Sequence, residues 1–169
     1  MKELTTLELE YIANSHSKLR KYFHGVFANN HIPRYVESYP ATYIINTHPS
    51  SKSGEHWVAI YFDAKLRAIY FDSFGLPPRN KRIINFLKRN CIKWNYSRKV
   101  LQHPFSKICG GYCIYFLVKK SQGLSLKAIL STFSNDLDLN GQKIQRFFSR
   151  VFPNIQKVSN QNHVWHSIK

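Results

Sequence analysis

The 169-residue sequence has little acid, with nine Asp and Glu residues against 25 Lys and Arg, a formal net charge of +16. It also lacks a long apolar run. The longest, Tyr112–Val118, is far short of the roughly 20 residues that cross a bilayer. Residues 1–10 carry three glutamates and no apolar stretch typical of a secretory signal. We therefore expect a soluble protein that is not secreted.

Cysteine is also scarce. Cys91, Cys109 and Cys113 are too few, and odd in number, for a disulfide framework, which indicates a reducing compartment. Zinc-finger spacing, a Gly-rich phosphate loop and an RNA-recognition signature are all missing, so any nucleic-acid binding should be largely independent of sequence. We expect neither a metal site nor a cofactor required for the chemistry. No repeat or Gly/Ser/Pro-rich linker divides the chain. We predict one domain over residues 1–169, with a flexible tail from residue 159.

What the sequence does contain is basic and aromatic. Its densest basic stretch, Arg79–Lys107, has nine Lys and Arg residues and no acid. A surface of this sign attracts polyanions, and nucleic acid is the commonest, so we predict sequence-independent DNA binding. Hydrophobic residues make up 43% of the chain and aromatic residues 15%, which is enough for a core and excludes a disordered basic tail.

Local patterns predict an α+β fold, because helices and strands fall in separate blocks around a hairpin. The hairpin is indicated by two runs rich in β-branched and aromatic residues on either side of a polar turn, Trp57–Phe62 and Arg67–Asp72. Thr5–Glu8 resembles a capping box and predicts a helix to about Asn14. The other predicted elements are a strand at Ala41–Asn46, a strand at Lys93–Leu101, and helices at Arg79–Asn90, Cys109–Lys120, Ser125–Phe133 and Asn140–Val151, the last two capped by Ser125 and Asn140.

The chemistry of the sequence centres on Cys109, which is predicted to lie where a loop enters an apolar helix. A cysteine at a helix N-terminus lies beside unpaired N–H groups and the positive end of the helix dipole, and both favour the thiolate that a nucleophile needs. Gly110 and Gly111 are poor helix formers, and we interpret them as a place where a substrate backbone approaches closely. Cys113, one turn later, is predicted to be an inert core residue.

A thiolate nucleophile needs a histidine, and the histidine needs a carboxylate that orients it. His56 begins the first hairpin strand and Asp72 ends the second, so the antiparallel pairing brings them together. A loop of three residues would place them directly opposite each other, whereas a loop of four would offset them by one residue. The hairpin therefore predicts a His–carboxylate pair, with Trp57 expected to shield it from water.

Acyl transfer also needs hydrogen-bond donors for the developing oxyanion. The backbone N–H of Cys109 is one candidate. Gln102, seven residues before Cys109, is the second.

Taken together, these residues resemble the adenovirus-type maturation protease (adenain-like) family. The resemblance rests on Gly54–Trp57, on Tyr70–Gly75, and on Gln102 followed seven residues later by Cys109 and Gly110, with Tyr22–Gly25 as a further match. It covers about residues 5–150. The compact form is especially similar to proteases of virophages and of Polinton or Maverick elements.

The resemblance implies a single cysteine protease domain with a permuted papain-like fold, in which histidine precedes cysteine. Cys109 would be the nucleophile, His56 the general base and acid, Asp72 the residue that orients His56, and Gln102 part of the oxyanion hole. Aspartate is a departure from the glutamate that adenoviral members usually have.

The resemblance also implies partners and a setting. The substrates would be viral structural precursors cut after small glycine-containing motifs, by a monomer acting in the virion or infected cell, with Trp57, Gly110 and Gly111 forming a narrow substrate slot. Cys91, eighteen residues before Cys109, would correspond to the cysteine that bonds an activating viral peptide. DNA would be a second stimulating factor.

Three alternatives stay open at this point. A protease for ubiquitin-like modifiers has the same order of His, Asp, Gln and Cys. An acyltransferase with the same fold would pass the acyl group from Cys109 to an amine. A non-catalytic basic module that binds nucleic acid would leave Cys109 unreactive.

Overall fold

The structure is a computed structural model, and it describes residues 1–52 and 56–153. Its helices and strands, in chain order, are α1 Thr6–Ser15, β1 Phe23–Ala28, β2 Ala41–Asn46, β3 Trp57–Phe62, β4 Arg67–Phe71, α2 Lys81–Asn90, β5 Lys93–Tyr96, α3 Cys109–Ser121, α4 Leu126–Ser131 and α5 Leu137–Val151, with a short 3₁₀ turn at Leu19–Lys21. Gly54, Glu55 and the tail predicted from residue 159 lie outside the described residues.

The strands form one mixed sheet in the order β1-β2-β3-β4-β5. The pairs β2–β3 and β3–β4 are antiparallel, whereas each outer strand runs parallel to its neighbour. The predicted α+β class with a central mixed sheet and a hairpin is thereby confirmed. Strand β3 lies at the centre, so the residue that precedes it, His56, lies at the middle of one sheet edge.

Both faces of the sheet are covered, because side chains alternate between the faces along each strand. Ile44, Ala59 and Phe71 belong to the larger core, which also contains the apolar residues of α3. Tyr43, Ile60 and Tyr70 belong to a second core with α2. The sheet is therefore a layer between helices, and α3 packs against it through a parallel stack of Phe71 on Phe116, whose ring centroids lie 4.5 Å apart.

The hairpin brings His56 and Asp72 to the same edge by a register that differs from both alternatives predicted above. Phe62 pairs with Ala68, and Ala59 pairs with Phe71. This register places Asp72 two residues from the position directly opposite His56. A shift of two keeps both side chains on one face, whereas a shift of one would have separated them. The turn closes through Leu66, which has a positive φ of 54°.

Two predicted elements need correction, and one strand was not predicted. Helix α5 begins at Leu137 with Asp136 as its cap, not at Asn140. Asn140 lies inside the helix, where its buried side chain binds Ser134 and the carbonyl of Leu101. Strand β5 ends at Tyr96, well before Leu101. Strand β1 lies where no strand is predicted from the sequence. It contains a bulge at Gly25 and pairs in parallel with β2, a contact that local alternation does not indicate.

The Phe71–Phe116 stack leads to a prediction about stability. Both rings are fully buried, so Phe116→Ala should lower the free energy of unfolding by about 3–5 kcal/mol, through lost transfer energy and the cavity left behind. Phe105→Ala is the matched control, because this phenylalanine is 90% exposed. Urea denaturation followed by circular dichroism measures both. Equal effects of the two substitutions would contradict the assigned core.

Candidate active site

Cys109 is the first residue of α3, and its side chain is buried. No side chain among the described residues caps this helix at Ile108, so the N–H groups of its first turn face the region around the sulfur. The backbone N–H of Trp57, at the start of β3, donates to the Cys109 Sγ at 3.5 Å. The fold therefore places the sulfur between the positive end of a helix and a strand amide, where negative charge is stabilised.

His56 and Asp72 are in direct contact, which confirms the predicted pair. His56 Nε2 lies 2.9 Å from Asp72 Oδ1, and both side chains are largely buried. The same carboxylate oxygen accepts the N–H of Phe74 at 2.8 Å. The hydroxyl of Ser97 holds the Asp72 backbone by accepting its N–H and donating to its carbonyl. These hydrogen bonds hold Asp72 in position independently of its contact with His56.

His56 also interacts with Cys109. His56 Nδ1 is buried and makes no conventional hydrogen bond within the described residues. Burial alone would lower the pKa of His56, but the hydrogen bond to Asp72 and the contact with the Cys109 sulfur outweigh burial and raise the pKa to about 9. His56 therefore interacts with both the Asp72 carboxylate, through Nε2, and Cys109.

Gln102 lies in a loop that is bound closely to the residue after Asp72. The N–H groups of Leu101 and Gln102 both donate to the carbonyl of Ser73, at 2.8 and 3.1 Å. The Ser73 hydroxyl donates to Gln102 Oε1 at 2.7 Å, and Gln102 Nε2 donates to the carbonyl of Ser106. Gln102 is only 1% exposed. Both the oxygen and the nitrogen of the Gln102 side-chain amide are therefore hydrogen-bonded.

The aromatic residue against the imidazole is Phe74, which the sequence analysis missed. Its ring centroid lies 4.8 Å from that of His56, with the planes tilted by 33°. Trp57, the residue expected to shield His56, packs in the core on the side of α3, where its indole N–H donates to the carbonyl of Leu4. Its shielding of His56 stays a prediction. The sequence signal for Phe74 is its position two residues after the carboxylate, ahead of Gly75, whose positive φ of 71° turns the chain.

The two glycines after Cys109 face the protein's own chain. A Cβ at Gly110 would lie 3.1 Å from Leu9 and 3.4 Å from Trp57, and one at Gly111 would meet Met1 and Ile144. This packing corrects the expectation that Gly110 and Gly111 line a substrate slot. Trp57 does border a depression of about 540 Å³, together with Thr5, the ends of β1 and β2, and the loop before His56.

The remaining cysteines have structural surroundings. Cys113 is fully buried, which raises the pKa of its thiol, and it donates to the carbonyl of Trp57. Cys91 caps α2, and its thiol donates to the carbonyl of Leu87. Burial also raises the pKa of Cys91. The disulfide of Cys91 with an activating peptide stays a prediction.

Within residues 1–52 and 56–153, no three His, Cys, Asp or Glu side chains are grouped so that they could hold a metal ion. In the same part of the chain, no helix combines the length and apolar character that a membrane span requires.

The adenovirus endoprotease family model matches residues 23–166. The chain belongs to this family. Its similarity to the protease of avian adenovirus 8 is 32% identity over 114 residues, covering 59% of this chain and 55% of the relative. The protease of human adenovirus A serotype 12 is 33% identical over 89 residues, 44% of this chain and 43% of the relative. The chain thus spans about half the length of the curated relatives it matches.

Solved structures show the same fold at low identity. A crystal structure of an ASFV protease superposes with a TM-score of 0.61 at 18% identity, over 84% of this chain and 66% of that one. ChlaDub1 from Chlamydia trachomatis gives 0.53 at 18% identity, over 69% and 62%. The predicted permuted papain-like fold is thereby confirmed. The narrower expectation of a virophage or Polinton/Maverick origin stays a prediction.

The contacts of His56 predict the pH at which its imidazole loses a proton. Its imidazole should stay protonated through neutral pH and lose its proton near pH 9, because Asp72 and the sulfur favour the cation. Asp72→Asn and Cys109→Ala should each move the midpoint down toward the unfolded value of about 6.5. The chemical shift of the His56 Cε1–H, followed by NMR, measures it.

The same pKa fixes the sign of its effect on stability. Because the folded-state value is the higher one, this contribution to folding is complete below pH about 6.5 and is lost as the pH rises through about 9. A midpoint near 6.5 in the unmodified protein and in both variants would contradict the assigned contacts.

Proposed function

We propose that this protein is a viral cysteine endopeptidase that cleaves virion precursor proteins during maturation. The observation that carries the proposal is the buried His56–Asp72 pair in contact with Cys109, with Gln102 bound to Ser73, the residue that follows Asp72. Its membership of the adenovirus endoprotease family supports the viral setting, in the virion or the infected cell.

The geometry supports acyl transfer through Cys109. The thiolate attacks the scissile carbonyl, and the oxygen that becomes negative is stabilised by the Cys109 backbone N–H and the Gln102 amide N–H. Protonated His56 then gives its proton to the departing amine, which leaves a thioester. Neutral His56 takes a proton from water and the hydroxide attacks the thioester, which releases the acid and restores the Cys109 thiolate beside protonated His56.

For the substrate, we propose extended segments with glycine next to the scissile bond. Cys109 is nearly buried at 4% exposure, so a chain without bulky side chains reaches the sulfur most easily. We propose the depression beside Trp57 as the place that accepts a neighbouring substrate residue, since Trp57 lines it and its backbone N–H contacts the sulfur.

The first experiment incubates the purified chain with viral capsid precursors, ubiquitin-like precursors and glycine-containing fluorogenic peptides, and identifies products by mass spectrometry. Cut capsid precursors support the proposal. Cleavage of the ubiquitin-like precursor alone indicates a modifier protease, and added acyl groups indicate an acyltransferase. A thiol-reactive inhibitor that mimics glycine should modify Cys109, mapped by peptide mass spectrometry.

Replacement of the reacting groups should abolish cleavage and leave the fold intact. Cys109→Ala and His56→Ala should each remove activity almost completely, and the double variant should be no worse, because such groups act as a unit. Gln102→Ala should slow turnover by roughly 10²–10³-fold, the usual loss of one oxyanion donor. Cys91→Ala is the matched control in the absence of any activating peptide. Wild-type cleavage by Cys109→Ala would refute the mechanism.

We further propose that DNA binds along a basic groove between β5 and α4. Two adjoining depressions of about 520 and 730 Å³ share Asn95 and Leu126. Their lining includes six basic residues, Arg67, Lys93, Arg98, Lys99, Lys120 and Lys127. Aromatic rings lie among them, with Arg98 over Tyr96 and Lys120 over Tyr61. Cations interleaved with rings suit a phosphate backbone without base readout.

Salt dependence tests this groove. Affinity for duplex DNA of mixed sequence should fall linearly on a log–log plot against salt, because phosphate contacts release counterions. Replacing Lys93, Arg98 and Lys127 together by Ala should reduce that slope by roughly three, about one per lost phosphate contact. Replacing the exposed Lys18, Lys21 and Lys88 removes the same charge elsewhere and serves as control. Fluorescence anisotropy measures both, and equal slopes would contradict the groove.

A further inference from the structure

Ser73 links Asp72, which binds the imidazole, to the side-chain amide of Gln102. It follows Asp72 directly, it is fully buried, and its hydroxyl reaches Gln102 Oε1 at 2.7 Å. Its carbonyl also accepts the N–H groups of Leu101 and Gln102. One residue therefore makes three hydrogen bonds to the loop that carries Gln102, two through its backbone and one through its side chain.

The hydrogen bond from Gln102 to the carbonyl of Ser106 decides which way the Gln102 amide faces. The carbonyl of Ser106 can only accept, so the amide atom beside it must be Nε2. The atom at the other side is then Oε1, and it needs a donor, which the Ser73 hydroxyl supplies. The carbonyl of Ser106 alone excludes the flipped amide, in which oxygen would face oxygen, and the Ser73 hydroxyl then supplies the donor that anchors Oε1.

Orientation matters because a primary amide has two N–H groups. One of those on Gln102 binds Ser106 and is spent on holding the side chain. The other is not used by any residue in the described part of the chain and projects from a side chain that is 1% exposed. A fixed, unused N–H in a buried site costs no reorganisation when a negative oxygen forms beside it.

We infer that Ser73 is a positioning residue of the oxyanion site, acting through the side chain of Gln102. This inference rests on the proposed function, and it adds that the hydroxyl, rather than the backbone of Ser73, keeps the amide N–H aimed at the substrate oxygen. Without the hydroxyl, Gln102 Oε1 loses its donor while buried, so the side chain moves or rotates to find another.

The test begins with Ser73→Ala, which keeps the two backbone hydrogen bonds and removes only the hydroxyl. Turnover of a glycine-containing fluorogenic peptide should fall about 10- to 100-fold, the effect of leaving one buried acceptor unpaired. KM should change little, because the lost interaction acts only in the transition state. Ser73→Cys, with a weaker donor of similar shape, should fall between Ser73→Ala and the wild type.

Alkylation of Cys109 by iodoacetamide separates positioning from general damage. That reaction displaces iodide from carbon and forms no oxyanion, so its rate reports the thiolate and His56 alone. Ser73→Ala should alkylate at the wild-type rate. A parallel drop in alkylation and turnover would overturn the inference, because it would mean that the Cys109–His56 contact itself is disturbed.

A double-mutant cycle gives the sharpest result. In a Gln102→Ala background, adding Ser73→Ala should cost nothing more, since the residue through which Ser73 acts is already gone. The matched control is Ser97→Ala, another fully buried serine, whose hydroxyl bonds only the Asp72 backbone. Its effect on turnover should persist in the Gln102→Ala background.

The outcomes also distinguish this inference from the proposed function. If Gln102→Ala turns over as fast as the wild type, or if the wild type cleaves nothing, the proposed function itself fails. If Gln102→Ala is slow but Ser73→Ala is normal, only the role of Ser73 is refuted. A Ser73→Ala loss that persists undiminished in the Gln102→Ala background refutes it as well, because the serine would then act on the fold generally.

Discussion

The hydrogen bond between His56 and Asp72 depends on a register that only the folded hairpin supplies. Asp72 follows β4 and His56 precedes β3, so the pairing of these two strands sets their separation. The contact is buried, where a carboxylate without partners is costly. Asp72 meets that cost with the His56 ring and the Phe74 N–H, while Ser97 secures its backbone. The site is thus an extension of the sheet's own pairing.

The three residues after β4 divide the work of organising the site. Asp72 binds the imidazole, Ser73 binds the Gln102 loop, and Phe74 covers the imidazole ring while its N–H returns to Asp72. The positive φ of Gly75 then turns the chain away. A Cβ there would lie 3.0 Å from the backbone of Lys99, so the turn has no room for a side chain. Three consecutive residues, 72–74, thereby link His56, which carries the proton, to Gln102, which offers the amide N–H.

The sequence predicted the parts of this arrangement that local patterns encode. Strands β2 and β3 begin and end where alternation and composition indicated, and the hairpin predicted that His56 and Asp72 meet, although neither predicted register is the observed one. It did not predict β1, because that strand is defined by parallel pairing and a bulge at Gly25. Nor did it identify Ser73 or Phe74, because their roles depend on a loop about 30 residues later and on a ring across the hairpin, contacts that no local signal encodes.

The glycines after Cys109 explain how deeply the nucleophile lies. Each glycine in a helix costs roughly 1 kcal/mol relative to alanine, and α3 has two in its first turn. The cost is offset because bare backbone at Gly110 lets α3 approach Leu9 and Trp57, and bare backbone at Gly111 lets it approach Ile144. A Cβ at Gly110 would lie 3.1 Å from Leu9, whose side chain would have to shift, and would just contact Trp57, whose N–H contacts the Cys109 sulfur. The two glycines thus lower the intrinsic stability of α3 but let it pack closely enough to hold the Cys109 sulfur against β3 and beside His56.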